Sequence, residues 1–206
     1  MGKFFVSLIS TILFRSIAQG AVLIDTGTPL GAGGISICGP LSNASYCNQS
    51  VALKVNISEP TNITDIQSYF GRSTIATDLT IALYNSDSNV PGQELYKSVL
   101  TVEGFGWDGL SNLDWAVDAG DYWVAFEVRT GQDFFGYLTN GAPIKLETAF
   151  SLDFGSTWQN IGIDYTGALI LQGTPIAAVP EPESYAMILA GLCIVGFASR
   201  HRSLMH

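Results

Sequence analysis

Along the middle of the chain, apolar positions recur at every second residue. Val51, Leu53, Val55 and Ile57 alternate with Ala52, Lys54, Asn56 and Ser58. A strand shows that period because successive side chains point to opposite faces, so this segment reads as a strand with one buried and one wet face. Leu79, Ile81 and Leu83 repeat the pattern, and Tyr122, Val124, Phe126 and Val128 do so against Trp123, Ala125, Glu127 and Arg129. Further strands are expected over Ile63 to Phe70, Glu94 to Val102, Asn112 to Val117, Asp133 to Leu138, Thr148 to Phe154 and Ala168 to Gln172. No stretch between residues 21 and 178 carries the period of an amphipathic helix. Gly, Asn, Asp and Pro gather between the strands, as at Asn85 to Gly92 and Asp118 to Asp121. Short strands at this spacing predict an all-β domain, an antiparallel β-sandwich of jelly-roll-like form, with an irregular barrel as the runner-up.

Both ends depart from this pattern. Residues 1–20 place Lys3 ahead of an apolar run from Phe4 to Phe14 and finish on Ala18-Gln19-Gly20. Charge, a short apolar run and small residues in that order predict a secretory signal peptide cleaved after Gly20; Arg15, late in the segment, keeps an uncleaved anchor as the other reading. At the far end, Pro180-Glu181-Pro182 precedes the apolar run Tyr185 to Ala198 and the basic residues Arg200 and Arg202. The prolines hold the backbone extended, a form that a protease can read. The run is expected to form a single transmembrane helix over about 185–199, stopped by Arg200 and Arg202 on the cytoplasmic side. Its fourteen residues fall short of the ~20 that cross a bilayer, which suits a temporary anchor and leaves a buried helix as the competing reading. The expected organisation is a signal peptide at 1–20, an extracellular β-domain at 21–178 and a sorting tail at 179–206.

This tail resembles the PEP-CTERM sorting signal of bacterial proteins, matched by Pro180-Glu181-Pro182, the apolar run and the basic end. The resemblance implies processing by an exosortase-type protease in bacteria that make exopolysaccharide. The protein would reside transiently in the inner membrane through the C-terminal helix and then reach the cell surface or the medium. The sequons at Asn43, Asn48, Asn56 and Asn62 support a rival glycolipid-anchored reading, but such a tail should end hydrophobic and this one ends Arg-His-Arg-Ser-Leu-Met-His. The stretch from Leu79 to Tyr84, the loop Asn85 to Gly92 and the strand Ala119 to Phe126 also resemble the choice-of-anchor sandwich domains that precede bacterial anchor tails. That likeness implies fold and location and supplies no catalytic residue.

Charge narrows the partners. Residues 21 to 178 hold five Lys and Arg against sixteen Asp and Glu, a balance near −11. Such a surface repels phosphate backbones, so nucleic acid is not an expected partner. Cys38 and Cys47 remain once Cys193 is assigned to the apolar run, and export favours a disulfide between them, with two buried thiols as the other reading.

Catalytic chemistry is thin. Both histidines, His201 and His206, lie in the tail, which removes Ser-His-Asp, Cys-His and the usual zinc arrangements from the domain. A carboxylate pair such as Glu127 with Glu103, or Asp121 with Asp153, keeps a glycosidase in view as a third choice. Asp87, in the oxygen-rich loop Asn85 to Asn89, is the candidate Ca²⁺ ligand, and no other cofactor is expected. Trp107, among Gly104, Gly106 and Gly109, is the candidate aromatic platform for a sugar. The sequence therefore predicts a non-enzymatic component of the extracellular matrix or biofilm, with exopolysaccharide as a further partner. A carbohydrate-binding module or adhesin is the alternative.

Overall fold

The computed structural model describes residues 20–31, 33–39, 48–72, 77–163, 165 and 167–176. The chain divides into two units, Met1–Pro175 and Ile176–His206, and the architecture below belongs to the first.

Among the described residues thirteen strands follow in order: β1 (Ala21–Asp25), β2 (Gly34–Cys38), β3 (Ser50–Ile57), β4 (Thr61–Arg72), β5 (Thr77–Asp87), β6 (Val90–Val102), β7 (Gly106–Leu110), β8 (Trp115–Val117), β9 (Gly120–Glu127), β10 (Phe135–Thr139), β11 (Thr148–Ser151), β12 (Gln159–Gly162) and β13 (Leu169–Pro175). Their pairing makes two sheets. Sheet A runs β1-β13-β4-β10-β2, with β7 and β8 also on β4, and sheet B runs β12-β11-β3-β9-β5-β6. These strands pair antiparallel, and the pairs β2 with β10, β3 with β9, β4 with β7 and β8, and β5 with β6 are nested inside one another. A long hairpin rolled up on itself produces this nesting, the winding of a jelly roll. β1 and β13 extend sheet A, and β11 and β12 extend sheet B.

The alternation seen in the sequence supplies the core. Ile63, Ile66 and Phe70 of β4, with Leu138 and Leu171, share one buried cluster with residues of sheet B. Val51 and Leu53 of β3, Leu79, Ile81 and Leu83 of β5, and Val124 and Phe126 of β9 are that sheet's contribution. Phe70 lies edge-on to Phe126 across the interior at 5.8 Å, and to Phe134 at the same separation. Edge-to-face rings hold the sheets in register by shape as well as by burial.

The sequence pattern does not reveal β1, β2, β7 or β12. β1 and β2 are five residues each, too short for a period to stand out. In β7 and β12 the apolar alternation is interrupted by Gly106, Gly109 and Gly162. At Gly109 the glycine is a packing requirement. A Cβ there would come within 2.1 Å of the Ile66 carbonyl oxygen, so only hydrogen fits where β7 meets β4. The hairpin between β5 and β6 is tighter than its turn-rich composition suggests. Asp87 pairs with Val90, and only Ser88 and Asn89 turn, with φ of 50° and 63°. Two positive φ values mark a type I′ turn, whose twist suits the flanking strands.

The expectation for the C-terminal end is corrected. The described fold is all-β, and no helix long and apolar enough to cross a membrane occurs among the described residues. The transmembrane helix over about 185–199, and the transient inner-membrane residence drawn from it, have no support here. The segment on which they rested lies outside the described residues. Length is the physical reason against the expectation: fourteen residues make about 21 Å of helix against about 30 Å of hydrocarbon. The signal-peptide segment up to residue 19 and the motif residues Pro180, Glu181, Pro182, Arg200 and Arg202 also lie outside the described residues.

Phe126 meets Phe70 of the opposite sheet at the centre of the core, so Phe126→Ala should lower unfolding free energy by about 3–5 kcal/mol through lost burial and a residual cavity. Urea unfolding followed by tryptophan fluorescence measures it.

Candidate functional site

Strand β9 is central in sheet B, with β3 on one side and β5 on the other. Register places Ala149, Ala52, Ala125 and Ala82 in one row across β11, β3, β9 and β5. These four belong to a second buried cluster with Tyr84 and Trp123, on the face away from the main core, and Trp158 packs against it. The face expected to be wet is thus covered at its centre. Small side chains make this feasible, because a row of methyl groups leaves room for large rings to lie over the sheet. Tyr84 and Trp158 meet edge-on there at 6.0 Å.

Two residues along β9 from Ala125, Glu127 shares this face and is 1% exposed. A buried carboxylate is costly unless charge and hydrogen bonds compensate it. Arg129 provides both: its Nε donates to Glu127 Oε2 at 2.7 Å, and its Nη2 lies 2.6 Å from the same oxygen. The Tyr84 hydroxyl donates to Glu127 Oε1 at 2.8 Å. Arg129 also forms a close ion pair with Glu94 Oε2, and Lys97 holds Glu94 Oε1 at 2.8 Å. These groups, Lys97 apart, line a pocket of about 530 Å³ together with Thr130, Phe154, Gly155 and Ser156.

Electrostatics follows from burial first. Burial raises the Glu127 carboxyl above its ordinary value, and the Arg129 charge and the Tyr84 hydrogen bond offset only part of that. At Glu94 burial acts in the same direction, but hydrogen bonds from Arg129 and Lys97 outweigh it and the carboxyl titrates lower than usual. Burial disfavours the Arg129 charge, yet Glu94 and Glu127 more than reverse this and hold the guanidinium protonated. The loop above the pocket has its own anchor: Asp153 accepts from the Ser151 and Thr157 hydroxyls at 2.7 and 2.6 Å, which bring its carboxyl down to about 2.

The residues singled out in the sequence are dispersed. Glu103 and Glu127 line different pockets, Glu103 beside Trp107 on sheet A and Glu127 on sheet B. Asp121 pairs with Lys54 at 3.1 Å, whereas Asp153 sits in the loop after β11, so neither pair is brought together as a catalytic couple. The charged groups clustered with Glu127 are Arg129 and, through it, Glu94, which the sequence pattern does not single out. A signal is present, since period two places Glu127 and Arg129 on one face, but Glu94 arrives only through the register that sets it opposite Tyr84.

Asp87 lies at the end of β5, its Oδ1 accepting from the Ser88 hydroxyl at 3.0 Å. The neighbouring oxygens are also engaged: Asn85 Oδ1 accepts from the Gln93 amide, Ser86 Oγ from Trp123 Nε1, and Asn89 Oδ1 from Lys54. Among the described residues, no group of three or more His, Cys, Asp or Glu is placed to hold a metal ion. Cys38, at the end of β2, is disulfide-bonded, and Cys47 lies outside the described residues. Trp107 is half-buried on β7, edge-on to Tyr69 at 5.6 Å, and Tyr69 also meets Phe105, which is 66% exposed. Trp115 and Trp123 are buried.

Burial, and then the charge of Glu127, raise the Tyr84 phenol well above its ordinary value of 10.0. A phenol raised on folding contributes its stability in full below the unfolded value and loses it as pH climbs from there toward the folded value. The melting temperature should therefore fall above about pH 10, and Tyr84→Phe should fall less steeply. Thermal melts across the alkaline range, followed by circular dichroism, check this.

Comparison with known proteins bears on the C-terminal end. The PEP-CTERM protein-sorting motif family matches residues 178–203. No curated protein and no solved structure matches the chain. The match begins three residues after β13 ends at Pro175, so the whole described β-domain precedes the motif. A sorting motif behind an all-β domain makes this a sorted, secreted protein.

Proposed function

We propose that the chain is an exported protein processed at its C-terminal sorting motif by an exosortase-type protease and delivered to the cell surface or the medium. There it serves as a non-enzymatic component of the extracellular matrix or biofilm. The observation that carries this reading is the motif at 178–203 directly behind the folded domain. Cleavage near Pro180 to Glu183 would leave every described strand intact, because β13 is complete at Pro175. The acidic domain suits neutral polymers and proteins as neighbours better than polyanions.

A second reading, an extracellular carbohydrate-binding module or adhesin, draws support from the aromatic group Tyr69, Phe105 and Trp107 on sheet A. Half-exposed rings there give C–H faces of a sugar a surface to pack on.

Intact mass and C-terminal peptide mapping of protein from cells with and without the protease test the main reading. A protease-dependent end near Pro180 to Glu183 is expected, and a chain ending at His206 in both strains overturns it. For the second reading, saturable binding on a glycan array should disappear in Trp107→Ala, and binding that survives this change removes the aromatic platform from consideration.

A further inference from the structure

The pocket on sheet B is organised before any ligand arrives. Glu127 is held by Tyr84 and Arg129, Arg129 by Glu127 and Glu94, and Glu94 by Arg129 and Lys97. Side chains fixed by one another lose little freedom when a ligand binds, which removes a main cost of recognition.

The partners differ in what they leave available. Glu127 is sealed beneath the pocket, whereas the Glu94 and Arg129 side chains keep 28% and 27% exposure. A guanidinium carries about five N–H donors, and a carboxylate accepts about four hydrogen bonds. Among the described residues, the side-chain bonds of Arg129 use Nε and Nη2 and leave Nη1. Glu94 retains acceptor capacity beyond its contacts with Arg129 and Lys97. A guanidinium donor beside a carboxylate acceptor complements two neighbouring hydroxyls, each of which both donates and accepts.

Charge narrows the ligand further. Glu94 and Glu127 balance Arg129 and Lys97, so the cluster is close to neutral as a whole. An anion would meet two carboxylates, and a cation would meet the guanidinium. Phe154, exposed on the wall, supplies apolar surface for a C–H face. A volume of about 530 Å³ lies in the range of small-molecule sites.

We infer that this pocket binds a neutral polyhydroxylated ligand, a saccharide residue, through a pair of neighbouring hydroxyls bridged between Glu94 and Arg129. The site is independent of the sorting reading. It also differs from the Trp107 surface, which belongs to the other sheet.

Calorimetric titration of the full-length protein with the methyl glycosides of glucose, galactose and mannose tests it, with glucuronate and glucosamine as charged counterparts. Saturable binding of at least one neutral glycoside is expected at about 10 mM or below, with weaker binding of the charged sugars. Glu94→Gln should weaken that binding about tenfold by removing the ionised acceptor. Ser156→Leu, which adds bulk at the pocket without touching the ion pairs, should weaken it similarly. The inference is overturned by no binding of any neutral glycoside, by tighter binding of a charged sugar, or by binding that both pocket variants leave intact. If near-UV circular dichroism shows that Glu94→Gln has lost its tertiary structure, Ser156→Leu decides the matter by itself.

Discussion

Strand β9 has both of its faces covered, and much of the molecule is arranged around that constraint. Val124 and Phe126 fill the space between the sheets, while Trp123 and Ala125 join Tyr84 in a second buried cluster on the other side, against which Trp158 packs. A strand exposed on one face could carry any polar residue there. Covering that face restricts it to small side chains, to rings that fit over them, and to polar groups that arrive with partners. Glu127 is tolerated only because Arg129 and Tyr84 reach it, and Arg129 in turn draws in Glu94 from the edge strand β6. The pocket is the place where the cover ends and these compensating charges come within reach of solvent.

Two parts of the chain therefore carry separate information about function. The motif at 178–203 concerns where the protein goes, and the pocket on sheet B concerns what it could hold once there. The fold permits this separation, since every described strand is complete before the motif starts. A jelly roll hosts unrelated activities, so the role of the domain has to be argued from the side chains of its faces.

Several elements are legible because their signal is local. Alternation over Val51 to Ile57, Leu79 to Leu83 and Tyr122 to Phe126 corresponds to β3, β5 and β9, the centre of sheet B. The weak strands β7 and β12 are hidden by glycines placed for close backbone approach or for turning, as Gly109 and Gly162 show. By composition, the Asn85 to Gly92 segment reads as an open loop of turn-forming residues. Cross-strand pairing instead extends both strands to a two-residue turn and engages the oxygens that suggest calcium.

The sequence by itself determined the all-β class, the main strands and the sorting motif, since each is written in contiguous residues whose period or order has a direct physical meaning. Only the tertiary structure decided that the second face of sheet B is covered, and that Glu127, Arg129 and Glu94 form one cluster. Arg129 and Glu94 stand 35 positions apart in the chain, and Trp158 comes later still. Their meeting depends on strand register and on the path of a distant loop, neither of which leaves a periodic trace. A face alternating with the core reads as wet in any single strand, and it becomes a buried site only when another part of the chain folds across it.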